Sequence, residues 1–375
     1  MYLDNPFYPN LNTGLSAVFG NNIFPAADIE YIPNPDLRWE TVAAQEIGFE
    51  LNAFGNKLHF EANYFNKTTK NLMLYIDRSP IGLKNKLANG GSIKNFGEEF
   101  SASWNQTINR DFSINIGGNI TFLQNRVLSL SDELPNGYLE RAFFNNGAAR
   151  SRTEPGMPIA YFYGFKAAGV FQSYADVLKS PVQSALGAYG PGDLKYEDVN
   201  GDGKITGDDR VRLEKNTVPT FNFGANLDLR YKGFDLNFLF QGAKGAAIRI
   251  QTESGDIGNF LKYSFDNRWS IDNPSSTDPR LASRGDTYFT GGNYGNNTYF
   301  LFSKDYIRLK NLEFGYTLPQ SLIDKVKLGS LRVYLNGLNL ITFTKQKVFD
   351  PEATNGAGTY YPQSRVLNAG VSVTF

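Results

Sequence analysis

Apolar and polar residues alternate with a period of two along much of this chain. In one stretch Phe221, Phe223 and Ala225 are each followed by a polar residue or glycine, and the pattern resumes after Lys232-Gly233. Successive side chains of a strand point to opposite faces, so each such row predicts a strand with one apolar face. The predicted strands are 42–53, 57–74, 95–108, 112–128, 219–231, 234–250, 302–317, 330–343 and 365–375.

One row changes phase part of the way along. Ile307 and Leu309 fit one register of alternation, whereas Leu312 and the apolar residues after it fit the other. One extra residue in a strand shifts the facing of every side chain beyond it. The phase change therefore predicts a β-bulge near Lys310 and Asn311.

The connections between rows fall into two length classes. The short ones are 54–57, 109–111 and 232–233, and the long ones are about 77–92, 131–157, 251–298 and 344–364. Short turns at one end and long loops at the other are typical of transmembrane β-barrels. The rows also exceed the usual strand length in soluble sheets and are long enough for a tilted strand to cross a bilayer. The pattern predicts an all-β fold, a partial transmembrane antiparallel β-barrel with long extracellular loops.

Strand direction restricts what lies between 128 and 219. If short turns face the periplasm, this stretch contains an even number of spanning strands, and we predict none. It then forms an extracellular insertion in which 161–172 and 193–198 pair outside the barrel. The predicted organisation is a lead-in loop at 1–40, barrel strands at 41–128, the insertion at 129–218, and the last barrel strands with their loops at 219–375.

The strand count and the first residues suggest a larger protein. Nine predicted strands is an odd number, whereas single-chain bacterial barrels have even numbers, so we expect a C-terminal portion of the barrel. Residues 1–20 lack the basic and apolar regions of a secretion signal, which an exported protein carries at its start. An open sheet has two unpaired edges, so we also expect the isolated chain to aggregate or to close in a non-native way.

Composition excludes several classes of function. Lys and Arg (37) balance Asp and Glu (37), whereas a nucleic-acid binder needs a basic excess. The chain has 0 cysteines and 1 histidine, which rules out disulfides, thiolate sites and most histidine-based catalytic groups. His59 lies between two apolar residues, so its side chain is predicted to form hydrogen bonds on the polar face. No catalytic residues are predicted, and we expect no enzyme activity.

Five segments and the last residue carry a family resemblance. They are 34–40 (NPDLRWE), 198–210 (DVNGDGKITGDDR), 305–316 (DYIRLKNLEFGY), 331–340 (LRVYLNGLNL), 350–352 (DPE) and Phe375. In this order they resemble the SusC/RagA-type TonB-dependent transporters of the bacterial outer membrane. The resemblance covers nearly the whole chain.

The resemblance implies more than the residues do. It implies a 22-stranded barrel with an internal plug, and a SusD-like surface lipoprotein that closes over the barrel as a lid. It implies import of oligosaccharides or peptides across the outer membrane, driven by the TonB complex through an N-terminal plug. The family's TonB box, plug and first strands have no counterpart among these 375 residues.

The segment 198–209 (DVNGDGKITGDD) predicts a calcium site. An EF-hand-type loop places oxygen ligands at positions 1, 3, 5, 7, 9 and 12 and a glycine at position 6. Gly203 occupies position 6, but position 12 is aspartate where glutamate is usual, and the flanks are strand-like. The alternative is a turn that binds no metal. The predicted ligands are Asp198, Asn200, Asp202, the Lys204 carbonyl, Thr206 and Asp209.

Aromatic residues in the long loops form a second candidate site. Sugar rings stack on exposed aromatic faces, so some of these residues are candidates for substrate binding, with ordinary loop packing as the alternative. They are Tyr138, Phe143, Phe144, Tyr288, Tyr294, Tyr299, Tyr360 and Tyr361.

Two other functions fit parts of the pattern. One is a TonB-dependent receptor for an iron chelate or another cofactor. The other is a soluble, calcium-binding β-rich module, which would need a second sheet to cover the apolar rows. A membrane receptor needs detergent to stay in solution, whereas the soluble module does not.

Overall fold

The structure is a computed structural model. It describes residues 11–29, 34–76, 86–134, 136–142, 150–213, 216–250, 260–283, 285–286, 296–324, 328–353, 356, 361 and 363–375. None of the described helices is both long enough and apolar enough to cross a membrane.

Strands dominate the described residues. In chain order they are β1 Leu11–Phe19, β2 Asn22–Ile29, β3 Thr41–Ala53, β4 Leu58–Lys70, β5 Met73–Ile76, β6 Lys86–Asn89, β7 Gly91–Asn109, β8 Phe112–Leu130, β9 Leu139–Ala142, β10 Arg150–Thr153, β11 Tyr161–Gly164, β12 Ala167–Val170, β13 Leu194–Tyr196, β14 Val211–Arg212, β15 Phe221–Tyr231, β16 Phe234–Lys244, β17 Ala247–Arg249, β18 Leu301–Ser303, β19 Tyr306–Thr317, β20 Ser330–Thr344 and β21 Val366–Thr374. The described α-helices are α1 Tyr174–Lys179, α2 Lys262–Asn267 and α3 Gln320–Ile323.

Nine strands form one sheet, which we call the wall. Its order is β21-β20-β19-β16-β15-β8-β7-β4-β3, and every neighbouring pair is antiparallel. Each of the nine predicted rows supplies one of these strands. Consecutive wall strands are neighbours throughout, including β8 and β15, which are joined by the long stretch 131–220. The all-β, partial-barrel fold predicted from alternation is confirmed.

The two faces of the wall differ in chemistry. One face exposes apolar side chains such as Ile47, Leu335 and Leu367, which are 75%, 61% and 75% exposed. Within the described residues no second sheet lies over this face. A soluble sandwich would bury these side chains, so the uncovered face argues against that alternative. A bilayer is the environment in which such a face needs no further protein cover.

The predicted bulge is confirmed. The pairing of β19 with β20 shifts between Leu309 and Asn311, and the pairing with β16 shifts at the same place. Lys310 is therefore the extra residue. The shift keeps Leu309 and Leu312 on the apolar face, which explains the change of phase in the sequence.

Some boundaries differ from the predictions. The row 234–250 leaves the wall at Gly245, whose φ of +95° turns the chain, and β17 pairs with β18 instead. A side chain at Gly245 would also meet Thr220 Oγ1 at 2.3 Å. The predicted lead-in loop contains the hairpin β1–β2, because its short alternating runs pair across a turn at Gly20. Other short strands leave the wall near its long-loop end, as β5 does to pair with β6.

Among its described residues, the stretch between β8 and β15 adds no strand to the wall. Strands β9, β10, β11 and β14 form one small sheet, and β12 pairs with β13. This layer, which we call the outer layer, has its own apolar core, built around Phe165, Leu194 and Phe300. The predicted pairing of 161–172 with 193–198 occurs in β12 and β13. The outer layer is thus a folded unit at the long-loop end of the wall.

Candidate functional site

The face of the wall opposite the apolar one carries hydrogen-bonded polar side chains. Asn115 Nδ2 donates to Asp228 Oδ2 at 3.3 Å, and Asn237 donates to the other oxygen of Asp228. Asn311 Nδ2 then donates to Asn237 Oδ1 at 3.3 Å. The chain of contacts crosses β8, β15, β16 and β19. It gives this face the polarity expected of a barrel interior.

Arg332 joins three strands on the same face. Its Nε donates to Asp235 Oδ1 at 2.9 Å, and its Nη2 donates to Glu313 Oε1 at 2.7 Å. Gly315 makes room for the guanidinium, because a Cβ there would meet Arg332 Nη2 at 2.4 Å. Arg332 thus binds two carboxylates from neighbouring strands beside the short turns.

A cavity of about 1220 Å³ opens at the short-turn end of this face. Asp228, Asp235, Glu313, Arg230 and Arg332 line it. These groups are suited to polar or charged contacts and include no nucleophile–base pair. The arrangement supports binding or passage of polar molecules.

His59 lies on the polar face as predicted. Its Nδ1 is 2.9 Å from Asn52 Oδ1, and its Nε2 is 3.0 Å from Glu61 Oε1. Both ring nitrogens are engaged by neighbouring side chains on the wall. The histidine has the predicted hydrogen-bonding role.

A buried arginine fixes the 350–352 segment to the wall near its long-loop end. Arg308 is only 1% exposed, and its Nη2 lies 2.6 Å from Asp350 Oδ2. Its Nη1 bonds Glu352, and its Nε donates to Thr342 Oγ1 at 2.9 Å. Lys310, the bulged residue, reaches Glu352 Oε2 at 3.3 Å. We call this group the Arg308 cluster. The cluster explains why the motifs 305–316 and 350–352 occur together, because Arg308 of the first binds both carboxylates of the second.

The outer layer has a buried ion pair of its own. Arg280 Nε donates to Asp193 Oδ1 at 2.6 Å, and Gly190 N donates to the other oxygen at 2.8 Å. Burial raises the pKa of Asp193, while the bond to Arg280 opposes that increase. The pair joins Asp193, next to β13, to Arg280 in the segment after α2. It therefore stabilises the layer across a long chain separation.

Arg249 is a buried cation that sequence reasoning missed. It is 2% exposed, and its Nη2 donates to Asn296 Oδ1 at 3.4 Å, while Nε and Nη1 have no hydrogen-bond partner among the described residues. Burial lowers the pKa of Arg249 to about 9. Nothing in its local sequence distinguishes it from a surface arginine, because the burial comes from loops distant in the chain.

The predicted calcium loop is closed by its own hydrogen bonds. Asp198 accepts from the backbone N–H groups of Gly201 and Gly203, at 2.7 and 2.8 Å. Asn200 and Asp202 each accept from the amide two residues further on, at 2.9 and 2.8 Å. The remaining side-chain lone pairs of these residues stay available to a cation.

The two last predicted ligands have structural tasks. Asp209 is 0% exposed and accepts from Val199 N at 2.9 Å and from Thr206 N at 2.7 Å. Thr206 caps the 3₁₀ turn Gly207–Asp209 by accepting from Asp208 N. Among the described residues no group of three or more His, Cys, Asp or Glu side chains is arranged to hold a metal. Aspartate at position 12 thus closes the loop.

Three of the eight candidate aromatic residues lie among the described residues. The Arg152 guanidinium covers one face of the Tyr138 ring at 3.9 Å. Tyr299 packs edge-on against Phe300, and its hydroxyl donates to Asp278 Oδ1 at 3.2 Å. Tyr361 is 92% exposed. Those outside the described residues are Phe143, Phe144, Tyr288, Tyr294 and Tyr360.

The geometry defines a class of protein before any comparison. A wall of long antiparallel strands has an apolar face, a hydrogen-bonded polar face, short turns at one end and a folded layer at the other. This is the organisation of part of a transmembrane β-barrel whose interior is polar.

Comparison with known proteins narrows the class. TonB-dependent receptor P3 of Formosa agariphila is 29% identical over 385 residues, covering 96% of this chain and 36% of the relative. Receptor P26 of the same species is 30% identical over 363 residues, covering 91% and 35%. The SusC receptor of Bacteroides thetaiotaomicron is 23% identical over 350 residues, covering 91% and 32%. The chain therefore spans about a third of the length of the curated relatives it matches. No family model matches the chain.

Solved structures agree with these relatives. The RagAB peptide transporter superposes with a TM-score of 0.74 at 24% identity, covering 99% of this chain and 39% of that one. The open-open state of the RagAB peptide importer gives a TM-score of 0.72 at 26% identity, covering 98% and 38%. The chain is thus similar in sequence to TonB-dependent receptors and has a SusC/RagA-like fold, so the resemblance seen in its motifs is confirmed. The relatives are named as receptors, and the superposed structures as a peptide transporter and a peptide importer.

Proposed function

We propose that this chain is the C-terminal barrel portion of a TonB-dependent importer of oligosaccharides or peptides in the bacterial outer membrane. A SusD-like surface lipoprotein covers the long-loop end, and the TonB complex drives transport through a plug domain. The observation that carries the proposal is the wall itself, with its apolar outward face and its polar inward face. The relatives support it, since they include SusC and the RagAB peptide transporter.

We assign a role to each end of the wall on the basis of its side chains. The Arg308 cluster lies on the polar face where substrate would enter from outside, and it anchors part of a long loop there. The outer layer supplies a broad folded surface at the same end, suited to a surface lipoprotein. The Arg332 group lies near the periplasmic turns and would face the plug.

Growth on defined carbon sources distinguishes import of oligosaccharides from import of peptides. A strain lacking the gene is expected to lose growth on either oligosaccharides or oligopeptides as sole carbon source, and to keep growth on monosaccharides and free amino acids. The gene restores growth when tonB is intact and fails to do so when tonB is deleted. Full growth of the deletion strain on both polymers would contradict the proposal, and a defect cured only by iron would favour the iron-chelate alternative.

The 198–209 loop is proposed to bind calcium and so to order the outer layer. Extracellular sites of this kind bind with dissociation constants of about 10⁻⁴–10⁻³ M. We expect calorimetry on the purified full-length protein to give a value in that range, and Asp202→Ala to weaken binding about tenfold or more by removing a ligand charge. Asp208→Ala, which changes an exposed carboxylate outside the predicted ligand positions, serves as the control. Equal binding by both variants would contradict the assignment.

A further inference from the structure

Two cations stand opposite each other on the outward face of the wall. Lys94 of β7 pairs directly with Arg126 of β8. The same register places Phe100 opposite Ile120 and Ala102 opposite Gly118. These positions lie six and eight residues nearer the short turns than Lys94. Residues an even number apart share a face, so Lys94 and Arg126 lie on the apolar face, at its long-loop end.

The pair is not compensated by an acidic side chain. Among the described residues neither cation forms a salt bridge, and the Lys94 Nζ lies 5.1 Å from the centre of the Phe96 ring. Like charges directly opposite in an antiparallel pair destabilise a sheet. An anion bound between the two side chains would remove that repulsion.

A third arginine lies beside this pair. A cavity of about 300 Å³ is lined by Arg126 and Arg212, together with Phe96 and Gln124. Arg212 belongs to β14 of the outer layer, and its Nη1 donates to Met157 Sδ at 3.4 Å. The wall and the outer layer thus bring cations from two elements to one small cavity, which suits a phosphate group.

An apolar groove lies below the cations on the same face. It has a volume of about 610 Å³. Its floor is made by small residues, Ala102, Gly118 and Ala225, and rings such as Phe100 and Phe223 form its sides. Ala225 pairs with Gly118, so the floor crosses three neighbouring strands.

The spacing between cations and groove fits a lipid. Lys94 and Phe100 are six residues apart, about 20 Å along a strand at ~3.4 Å per residue. A tilt of about 40° reduces this to roughly 15 Å along the bilayer normal, half of a hydrocarbon core about 30 Å thick. A chain descending from a headgroup at the cations would reach the groove. Glu98 lies between Lys94 and Phe100 on the same face. Its negative charge disfavours a phosphate bound nearer to the groove than Lys94.

We propose that Lys94, Arg126 and Arg212 bind the phosphate of a phosphorylated glycolipid in the outer leaflet, with one acyl chain lying in the Ala102–Gly118–Ala225 groove. This inference rests on the membrane placement in the proposed function. It adds a lipid partner on the outward face, away from the substrate path on the polar face. The bound lipid would neutralise the opposed cations and join the wall to the outer layer.

Native mass spectrometry of the full-length protein tests the assignment. The probes are a synthetic bis-phosphorylated, acylated glucosamine disaccharide, its dephosphorylated form, and inorganic phosphate. The wild-type protein is expected to retain the phosphorylated lipid, and Lys94→Gln with Arg126→Gln to lose about thirtyfold in affinity, at about 1 kcal/mol per basic residue near a membrane surface. Ala225→Leu, which fills the groove, is expected to weaken lipid binding. It should leave the binding of inorganic phosphate as it is in the wild-type protein. Lys57→Gln with Arg110→Gln, at the short turns, is the control.

The outcomes separate this inference from the proposed function. Equal lipid retention by the wild-type protein and the Lys94/Arg126 variant would overturn the lipid site. Displacement of the lipid by millimolar inorganic phosphate, or equal retention of the dephosphorylated lipid, would overturn it as well. With any of these results, the wild-type protein would still be recovered in the outer-membrane fraction. Recovery of the wild-type protein in the soluble fraction would instead contradict the proposed function.

Discussion

Replacing Arg308 with methionine is expected to destabilise the protein by about 3 kcal/mol, because it leaves two partly buried carboxylates without their main partner. Arg308 is 1% exposed and contacts Asp350 and Glu352, while Lys310 reaches only Glu352. The 350–352 segment should then separate from the wall. Urea unfolding of the full-length protein measures the loss, and limited proteolysis detects the released segment.

A rescue variant separates charge from packing. Combining Arg308→Met with Asp350→Asn and Glu352→Gln removes the unpaired charges, so most of the stability should return. Arg110→Met, at an exposed turn, controls for the loss of an arginine. If Arg308→Met unfolds at the same urea concentration as Arg110→Met, the Arg308 cluster does not hold the segment. Uptake should fall with the segment's release, since the cluster lies on the polar face.

Gly97→Ala is expected to block assembly of the wall. A Cβ at Gly97 would lie 2.1 Å from the Phe122 carbonyl oxygen and 2.9 Å from Phe65 Cζ. Phe122 belongs to the neighbouring strand β8, so its backbone cannot move without breaking the β7–β8 pairing. We expect a loss of at least about 3 kcal/mol, the upper range for overpacking, and little folded protein in the outer membrane.

The matched control for this substitution is Gly207→Ala. No atom lies within 4 Å of a Cβ built at Gly207, so an added methyl group meets no obstacle there. Folded barrels keep a compact electrophoretic mobility in unheated detergent samples, which gives a direct readout. Normal compact mobility of Gly97→Ala would show that the β7–β8 pairing tolerates the methyl group and that the close approach is wrong.

Periodicity predicted the wall well because each strand has one apolar and one polar face. The nine rows, their order and the Lys310 bulge all follow from alternation and from the lengths of the connections. The hairpin β1–β2 was missed because Asn, Pro and Gly within 1–20 indicated a loop. The exit of the chain at Gly245 was missed because apolar alternation continues past it, although the backbone turns there.

The polar contacts were much less predictable. Arg308 and Asp350 are 42 residues apart, and no local pattern selects one arginine as the partner of one carboxylate. Arg249 and Asp193 are buried by the packing of distant loops, which a single sequence does not reveal. The motif 198–209 did predict a compact turn, but the role of Asp209 in closing it depends on the backbone amides of Val199 and Thr206.

Single-cysteine labelling tests the central claim most directly, because the chain has 0 native cysteines. The claim is that the wall crosses the outer membrane with its outer layer outside the cell. Val199→Cys, in the outer layer, should react with a membrane-impermeant maleimide on intact cells. Arg110→Cys, at a short turn, should react only after the outer membrane is permeabilised. Equal labelling of both positions on intact cells, with the protein intact, would contradict the membrane-spanning wall.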